Sequence, residues 1–345
     1  MSSAQDHESL VRNLRSVALD EGFVGLGIAP ALESTGFSDL ARWIDAGYAA
    51  GMNYFADRQE AYRHPASVLE GARSIIVLAF PYDASERNLV PGGFGRVARY
   101  AWSGVDYHDV VHPKLKRMCR LIRDRIPSAN ARGVIDTAPL MEREYAQLAG
   151  LGWRGKNTLL LNKTLGSYFF LACVLTDLDL PFDEPHAASH CGTCTACLDA
   201  CPTDAFPQAG VLDASRCISY LTIEHRDDIA DDLRDGIGDW LFGCDICQDV
   251  CPWNRKPSRS AGLNPSSLQS LELASLLQCS DDEFRERFRK TPMWRTRRRG
   301  LLRNAAIVLG NQGNQDAIPV LETACRDEEP LVREAAQWAI EKLRQ

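Results

Sequence analysis

The sequence predicts an α+β protein in three successive parts, and three observations carry this prediction. Helical and strand-like segments interleave over roughly residues 1–183. Closely spaced cysteines follow as far as residue 251, and the C-terminal part is helical and internally repeated. A chain of 345 residues suits two or three domains. We therefore expect domains at residues 1–183, 184–258 and 259–345.

The first domain is expected to carry a mixed sheet between helices. Apolar residues at helical spacing near the N-terminus, such as Leu10 and Leu14, predict mainly helix as far as Arg73. Residues 74–80 are almost wholly apolar, which is typical of a strand covered on both faces. The elements predicted after it are a helix at 109–126, a strand at 133–136, a helix at 142–151 and a strand at 167–178.

The composition excludes several classes of protein. With 45% hydrophobic and 25% charged residues, the chain is neither disordered, collagenous nor a coiled coil. Its apolar runs are far shorter than the ~18 residues of a membrane-spanning helix, and the N-terminus does not resemble a secretory signal. We expect a cytoplasmic protein, in which disulfides are rare. The twelve cysteines therefore need another explanation.

The cysteine spacing predicts two iron–sulfur clusters. A first run has the C-x₂-C-x₂-C-x₃-C-P spacing of bacterial ferredoxins, in which the fourth cysteine ligates the other cluster. A second run repeats the end of this pattern, and Cys217 can supply the thiolate that it lacks. We expect one cluster on Cys191, Cys194, Cys197 and Cys251, and the other on Cys201, Cys217, Cys244 and Cys247.

Zinc is the alternative for these cysteines. Four-cysteine zinc sites favour two well-separated C-x₂-C pairs, so a triple run that ends in Cys-Pro is not typical of them. Four further cysteines fall outside the two runs, and we expect them to be small buried hydrophobic residues: Cys119, Cys173, Cys279 and Cys325.

Two segments of the first domain are candidates for an active site. Residues 150–158 nearly match a phosphate-binding loop, but Asn157 replaces the required hydroxyl and a helix precedes the loop, so a nucleotide triphosphatase is a weak alternative. Asp136 ends a predicted strand, where open sheets place their ligands. The simpler interpretation of Asp136 is a turn aspartate that bonds nearby amides.

The C-terminal part predicts HEAT-like helices and a basic patch. A segment starting at Arg303 is repeated at Arg333, and such repeats must stack on a neighbouring domain. Nine basic residues against one acid lie between Arg285 and Arg303, although the chain has a net charge of −7. This density is expected of a phosphate-binding surface, and the alternative is a solvated helix face.

Together, these segments resemble the epoxyqueuosine reductases over nearly the whole chain. The matching motifs are Met52-Asn-Tyr54, Arg99-Tyr-Ala-Trp102, Asp106-Tyr-His108, Asp136-Thr-Ala-Pro139, Gly152-Trp-Arg-Gly-Lys-Asn-Thr158, Cys217-Ile-Ser-Tyr-Leu-Thr-Ile-Glu224, Arg297-Arg-Arg-Gly-Leu-Leu-Arg-Asn304 and Leu309-Gly-Asn311. Their order along the chain is far more specific than any one of them.

The resemblance implies an enzyme that finishes queuosine in the tRNA wobble position. It implies a catalytic domain similar to that of reductive dehalogenases, with base-off cobalamin that has no protein histidine below cobalt and is reduced through the clusters. Asp136 would be the proton donor. The residues expected to contact the corrin are Arg58, Asp136, Lys156, Asn157, Thr158, Ser167 and Ser219.

The resemblance also implies partners. We expect the anticodon stem-loop of tRNA carrying epoxyqueuosine, an unidentified reductant and no membrane, and we expect a monomer. The modified base would be splayed out of the loop, as single-stranded RNA allows. The arginines expected to contact the tRNA backbone are Arg295, Arg297, Arg298, Arg299 and Arg303.

Two other functions remain open from the sequence. One is a small-molecule reductase of the dehalogenase kind, which would need neither the terminal repeat nor its arginines. The other is an electron-transfer ferredoxin fused to a helical scaffold, with no chemistry of its own.

Overall fold

The computed structural model describes residues 4–82, 85, 88–255, 263 and 268–345. The elements of the first part are α1 (Ala4–Asp20), β1 (Gly25–Pro30), α2 (Phe37–Asp45), α3 (Tyr54–Asp57), β2 (Ser74–Pro81), β3 (Phe94–Val97), α4 (Tyr107–Arg125), β4 (Ala131–Val134), α5 (Glu142–Leu148), β5 (Trp153–Arg154), β6 (Leu160–Leu161) and β7 (Phe169–Thr176).

The cysteine-rich and C-terminal parts are mainly helical. They contain α6 (Ala196–Asp199), α7 (Ile218–Ile223), α8 (Asp231–Ile237), β8 (Trp240–Phe242), α9 (Ile246–Asp249), β9 (Ser270–Glu272), α10 (Leu273–Leu277), α11 (Asp281–Phe288), α12 (Arg297–Gln312), α13 (Ile318–Ala324) and α14 (Pro330–Arg344). Within the described ranges, no helix has the length and apolar character needed to cross a lipid bilayer.

A four-stranded sheet in the order β1-β2-β7-β4 forms the centre of the first part. Every residue of β2 is buried, which confirms the strand predicted at residues 74–80. Its side chains alternate between two cores, because successive residues of a strand point to opposite faces. Ile76 and Leu78 pack with residues of α1 and α4, whereas Ile75 and Val77 pack with residues of α5.

This sheet is antiparallel throughout, so the expectation of a mixed sheet is wrong for it. An apolar run shows that both faces of a strand are covered, but it does not give the direction of the neighbouring strands. The mixed sheet is a second one, in which β3 pairs parallel with β8 and antiparallel with β9. Its three strands come from the three predicted domains, whose boundaries stay a prediction.

Strand β1 interrupts the stretch that was expected to be mainly helical. Its two glycines, Gly25 and Gly27, weaken the strand signal, because glycine is depleted in strands. A Cβ atom on Gly27 would lie 2.0 Å from the carbonyl oxygen of Ala149. The strand therefore needs a glycine where the end of α5 packs against it.

Helix α12 is the centre of the C-terminal part. All its residues from Gly300 to Gly310 are buried, because α14, α10, α8 and β8 pack around it. A helix covered on all sides loses the polar face by which amphipathic helices are recognised. The two copies of the repeat noted in the sequence lie in α12 and α14, with α13 between them, as predicted.

Candidate active site

Asp136 lies in a tight turn directly after β4. The backbone N–H of Thr137 donates a 2.7 Å hydrogen bond to the carbonyl oxygen of Ile135, which closes a three-residue turn around Asp136. Asp136 has a φ of +63°, a left-handed conformation that is uncommon outside glycine. Backbone strain of this kind is concentrated at functional sites. The strand predicted at residues 133–136 is observed at Ala131–Val134, so Asp136 follows the strand instead of ending it, and its side chain is 50% exposed.

Three side chains approach the same oxygen of Asp136. The hydroxyl of Tyr107 donates a 2.5 Å hydrogen bond to Oδ2, and both terminal nitrogens of Arg295 lie 3.4 Å from it. The Nε2 atom of His108 is 3.8 Å from the same Oδ2. The sequence assigns neither Tyr107 nor His108 a role of its own. The Asp106-Tyr-His108 motif is the signal that could have placed them here.

The start of α4 holds Tyr107 and His108 in position. Asp106 caps the helix by accepting a 3.0 Å hydrogen bond from the backbone N–H of His108, and its carboxylate lies 2.8 Å from the His108 Nδ1 atom. The Tyr107 ring stacks between His108 and Phe170, with both centroid distances at 4.2 Å. Desolvation, and then the Asp136 carboxylate, raise the pKa of Tyr107, so its hydroxyl keeps its proton.

Arg295 reaches the site from the C-terminal part. It lies in a 3₁₀ turn, Pro292–Thr296, that packs on α7. Arg226 donates a 2.7 Å hydrogen bond to the Arg295 carbonyl oxygen, and the Thr296 hydroxyl bonds the Thr222 carbonyl oxygen. Burial disfavours the charged guanidinium, but Tyr107 and Asp136 outweigh this effect and raise the pKa of Arg295. Arg295 therefore faces Asp136, a position that the sequence did not predict.

Further polar side chains surround Asp136 without covering it. Desolvation, with a contribution from Asp136, raises the pKa of the half-buried Glu142 to about 8. Tyr54 is 42% exposed, and desolvation followed by Glu224 and Asp136 raises its pKa as well. The exposed Arg58 donates a 3.4 Å hydrogen bond to the carbonyl oxygen of Thr137. These groups leave an open and partly desolvated cleft, which fits a large polar cofactor.

A cavity of about 370 Å³ lies behind the Asp136 turn. Its wall includes Arg58, His112 and Arg132 together with Thr137 and Pro139. Desolvation and the neighbouring His108 lower the pKa of His112, so the imidazole favours its neutral form. The turn that carries Asp136 therefore has open space on its far side.

The cysteines of the two runs lie near one another, and their division into two ligand sets stays a prediction. Beyond desolvation, the pKa of Cys197 is raised by three neighbouring thiols, and Cys191 and Cys194 also raise that of Cys251. The neighbours of Cys197 are Cys251, Cys191 and Cys194. In the second predicted set, Cys247 and Cys217 raise the pKa of Cys244. The pKa of Cys247 is raised by Cys217 and Cys201 and also by Cys197 of the first set, so the two sets lie close together.

Backbone N–H groups point at several of these sulfurs. Ala205 donates to Cys201 Sγ at 3.3 Å, and the backbone N–H groups of Ser219 and Tyr220 donate to Cys217. Such donors stabilise thiolates and tune iron–sulfur clusters. Neighbouring thiols with amide donors around them fit the chemistry of iron–sulfur ligands. Within the described residues, no three Cys, His, Asp or Glu side chains converge on a point as ligands of a single ion would.

The loop at residues 150–158 is a hairpin and not a phosphate-binding loop. The segment contains β5, which pairs antiparallel with β6 just after it. Lys156 Nζ donates 2.8 Å hydrogen bonds to the carbonyl oxygens of Gly192 and Cys194. The buried Asn157 amide bonds the Cys247 carbonyl oxygen at 3.3 Å. Both side chains thus bind the cysteine-rich backbone. Their predicted role as corrin contacts stays a prediction.

The other expected corrin contacts are dispersed. The Thr158 carbonyl oxygen accepts a 2.6 Å hydrogen bond from Arg143, and Thr158 has a φ of +67°. Ser167 is 5% exposed, and its hydroxyl accepts 2.9 Å hydrogen bonds from Gln248 and Asn254. These two bonds use the acceptor sites of the hydroxyl and leave its O–H donor, so the role of Ser167 as a corrin contact stays a prediction.

The basic segment divides into buried and exposed arginines. Arg303 is 0% exposed and bonds the carbonyl oxygens of Leu221, His225 and Asp227, so its prediction as a tRNA contact is wrong. Arg298 is largely buried and paired with Asp327 at 2.5 Å. The sequence shows how many basic residues the segment contains, but not which way their side chains point. Helix α12 turns the side chains of Arg298 and Arg303 inward.

Two of the five arginines that were expected to contact tRNA lie on the surface. Arg297 and Arg299 are exposed, and Arg297 lies over the Trp294 ring at 4.8 Å.

Of the four cysteines outside the clusters, Cys119, Cys173 and Cys279 are buried, as expected. Cys325 is partly exposed, which corrects that expectation.

Three family models match successive parts of the chain. "Epoxyqueuosine reductase QueG, DUF1730" matches residues 63–137, a "4Fe-4S double cluster binding domain" matches residues 190–254, and "HEAT repeats" match residues 295–345. The second match favours clusters over zinc for the cysteine-rich region.

Curated relatives match along nearly the whole chain. An epoxyqueuosine reductase of Cyclobacterium marinum is 40% identical over 310 residues, covering 89% of this chain and 98% of its own. One of Pseudomonas aeruginosa is 39% identical over 350 residues, covering 99% and 96%. One of Escherichia coli K12 is 35% identical over 347 residues, covering 99% and 91%.

Solved structures have the same fold. An epoxyqueuosine reductase with a tRNA-Tyr epoxyqueuosine-modified stem loop matches with a TM-score of 0.90 at 31% identity, covering 98% of this chain and 91% of that chain. A structure from Bacillus subtilis, described as having its aspartate catalytic loop swung out of the active site, matches with a TM-score of 0.87 at 30% identity and the same coverage.

Proposed function

The chain belongs to the epoxyqueuosine reductase family, and from this premise we propose how its residues carry out the reaction. The enzyme reduces epoxyqueuosine to queuosine at the wobble position of tRNA, the last step of queuosine biosynthesis. The epoxide oxygen leaves as water and an alkene remains, so the reaction takes up two electrons and two protons. The protein must therefore deliver both electrons and protons to one buried base.

Asp136 donates a proton to the departing oxygen. The observation that supports this role is its place on a strained turn, with a half-exposed carboxyl that Tyr107 and Arg295 hold from one side. Breaking a carbon–oxygen bond builds charge on the oxygen, and a positioned acid removes that charge. Because the left-handed backbone directs the side chain, the turn orients the acid toward the cleft.

The cofactors are two 4Fe-4S clusters and cobalamin. When bound, cobalamin that has been reduced through the clusters supplies the electrons that cleave the carbon–oxygen bonds. The chain holds the clusters through Cys191, Cys194, Cys197 and Cys251, and through Cys201, Cys217, Cys244 and Cys247. The cleft at Asp136, bordered by Tyr54, Arg58 and Glu142, receives the corrin and excludes bulk water.

Contacts to tRNA fall to the exposed arginines at the start of α12. Arg297 and Arg299 bind backbone phosphates, whereas Arg298 and Arg303 hold the fold. The wobble base is splayed out of the anticodon loop to reach Asp136. The enzyme acts in the cytoplasm as a monomer and takes electrons from a separate reductant.

Substitution of Asp136 tests the proposed proton donor. Protein reconstituted with iron, sulfide and cobalamin is assayed on tRNA carrying epoxyqueuosine, beside the same protein without cobalamin. Asp136→Asn should keep the cluster and corrin absorbance of the wild type and lose turnover. Full turnover by this variant would show that Asp136 is not the proton donor. Turnover without cobalamin would show that the reaction does not need this cofactor.

Ligand assignment has its own test. Cys217→Ala should lower the iron and sulfide content by about half, because one of two four-iron clusters loses a thiolate. Cys325→Ala is the matched control, since Cys325 lies outside both groups. Equal iron loss in the two variants would contradict the assignment of Cys217.

A further inference from the structure

All the contacts that the structure gives to the Asp136 carboxylate go to one of its two oxygens. Tyr107 and Arg295 donate to Oδ2, and the ring of His108 is nearest to Oδ2 as well. No described residue donates to or accepts from Oδ1 within hydrogen-bond distance. Half of the side chain is exposed, and Oδ1 is the oxygen that the described hydrogen bonds leave free.

We infer that Arg295 and Tyr107 are positioning residues that bind Oδ2 of Asp136 and so keep the transferable proton on Oδ1. Both groups are hydrogen-bond donors at this site, because the guanidinium has no acceptor and the raised pKa of Tyr107 keeps its hydroxyl protonated. A proton on Oδ2 would face these donors directly. On Oδ1 it meets no competing donor and points into the cleft.

The arrangement resolves an apparent conflict between a cation and an acid. A guanidinium beside a carboxyl stabilises the ionised form, which by itself would work against proton donation. The two Arg295–Oδ2 distances of 3.4 Å are long, whereas an unhindered ion pair of this kind is about 2.7–2.9 Å. Arg295 can therefore bind the neutral acid through its carbonyl-like oxygen and the carboxylate after the proton has left.

The C-terminal part fixes Arg295 independently of Asp136. Its carbonyl oxygen is held by Arg226, and the adjacent Thr296 is bonded to α7. The same guanidinium donates to the Tyr107 hydroxyl at 3.1 Å. Arg295 and Tyr107 thus form one unit around Oδ2, built from two distant parts of the sequence. The basic segment was predicted to bind tRNA, and this arginine instead binds the acid.

The test compares single-turnover rates with tRNA affinities. The variants are Arg295→Gln, Arg295→Lys, Tyr107→Phe and the double variant Arg295→Gln/Tyr107→Phe, with Arg289→Gln as a control that removes an exposed charge of the same segment. Rates are measured with reconstituted protein at saturating epoxyqueuosine-modified tRNA. Dissociation constants for that tRNA, circular dichroism and cluster absorbance are recorded for each variant.

Arg295→Gln should lower the single-turnover rate about 10- to 100-fold, because a mispositioned acid loses part of the 10²–10⁴-fold gain of general acid catalysis. Its dissociation constant for tRNA should stay within about twofold of wild type. Arg295→Lys should recover part of the rate, because an ammonium still donates to Oδ2. The double variant should be little slower than the slower single variant, since both residues act through one atom.

The inference rests on the proposed role of Asp136, and the same assay separates the two. If Asp136→Asn keeps full turnover, the proposed proton donor is wrong and the inference falls with it. If Asp136→Asn is inactive while Arg295→Gln keeps its rate or changes only tRNA affinity, the inference alone is wrong. The inference would also be wrong if Arg295→Lys did not recover any of the lost rate and the effects of the two single variants were additive in the double variant. Arg295 would then have a structural role.

Discussion

Tyr107 and Asp136 are joined by a 2.5 Å hydrogen bond across the interface between α4 and the turn that follows β4. The two residues are adjacent because α4 packs on β4, and because Asp106 fixes the first turn of that helix. The left-handed conformation of Asp136 brings its carboxyl toward the helix instead of along the sheet. The acid therefore depends on the helix for its orientation.

Removal of the Tyr107 hydroxyl should slow the reaction and leave the fold intact. Tyr107→Phe keeps the ring that stacks on Phe170 but removes the donor to Asp136. We expect the single-turnover rate to fall about tenfold or more, a part of the gain of a positioned acid. The Tyr82→Phe variant is a matched control, because its hydroxyl bonds Gln248 and does not touch Asp136. Equal rates in Tyr107→Phe and wild type would contradict the positioning role.

Glu142 should make the stability of the protein depend on pH. Its pKa in the folded protein, about 8, is above its ordinary value of 4.5, so between these values the folded state binds more protons than the unfolded state. Stability should therefore fall as the pH rises from about 4.5 to 8. Glu142→Gln should remove this component, as seen in denaturant midpoints measured across the range. A pH dependence identical to wild type would show that the carboxyl is not desolvated.

The pair Arg298–Asp327 should contribute to stability and not to tRNA binding. Both side chains are largely buried, and the Arg298 guanidinium helps to hold the pKa of Asp327 below its usual range against the effect of burial. Arg298→Ala should cost about 1.5–3 kcal/mol, because it removes the charge-assisted hydrogen bonds of Arg298 from a carboxylate that keeps the backbone N–H of Glu329. Urea unfolding measures this loss. Because the pKa of Asp327 is lowered by the fold, the contribution of the pair should disappear as the pH falls below the ordinary range of aspartate.

Arg297 and Arg299 should account for salt-dependent affinity. The double variant Arg297→Gln/Arg299→Gln should weaken tRNA binding and reduce the slope of log affinity against log salt by about 1.4, which is two contacts at roughly 0.7 each. Fluorescence titrations at several salt concentrations provide the measurement. An unchanged slope would show that Arg297 and Arg299 are solvated surface residues that do not contact phosphates.

Strand β2 and the double-cluster domain could be predicted because their signals are local. An apolar run such as β2 and a cysteine spacing are both written in consecutive residues. Strand β1 was missed because its glycines serve contacts with α5, which no local pattern records. A mixed sheet was expected at the centre of the first domain, but the mixed sheet is the one formed by β3, β8 and β9. These strands are far apart in the sequence and meet only in the folded chain, so no local pattern predicts their pairing.

The arginines show the same limit for the functional site. Sequence density predicted a basic surface, yet Arg303 lies in the core and bonds carbonyl oxygens, with its pKa lowered to about 10 by burial. Arg295 could not be assigned to Asp136, because 158 residues separate Asp136 and Arg295 and only the packing of the turn Pro292–Thr296 joins them. Long-range contacts of this kind decide which charges meet the substrate and which hold the fold.

The three-stranded sheet β8-β3-β9 has a consequence for biosynthesis. Strand β3 emerges from the ribosome about 175 residues before the end of β9, so at roughly 5–20 residues per second it waits about 9–35 s for its last partner. During that time its edges are open to pairing with other chains. The nascent protein therefore completes this sheet only after β9 has been synthesised, which makes chaperone protection and the timing of metal insertion part of its maturation.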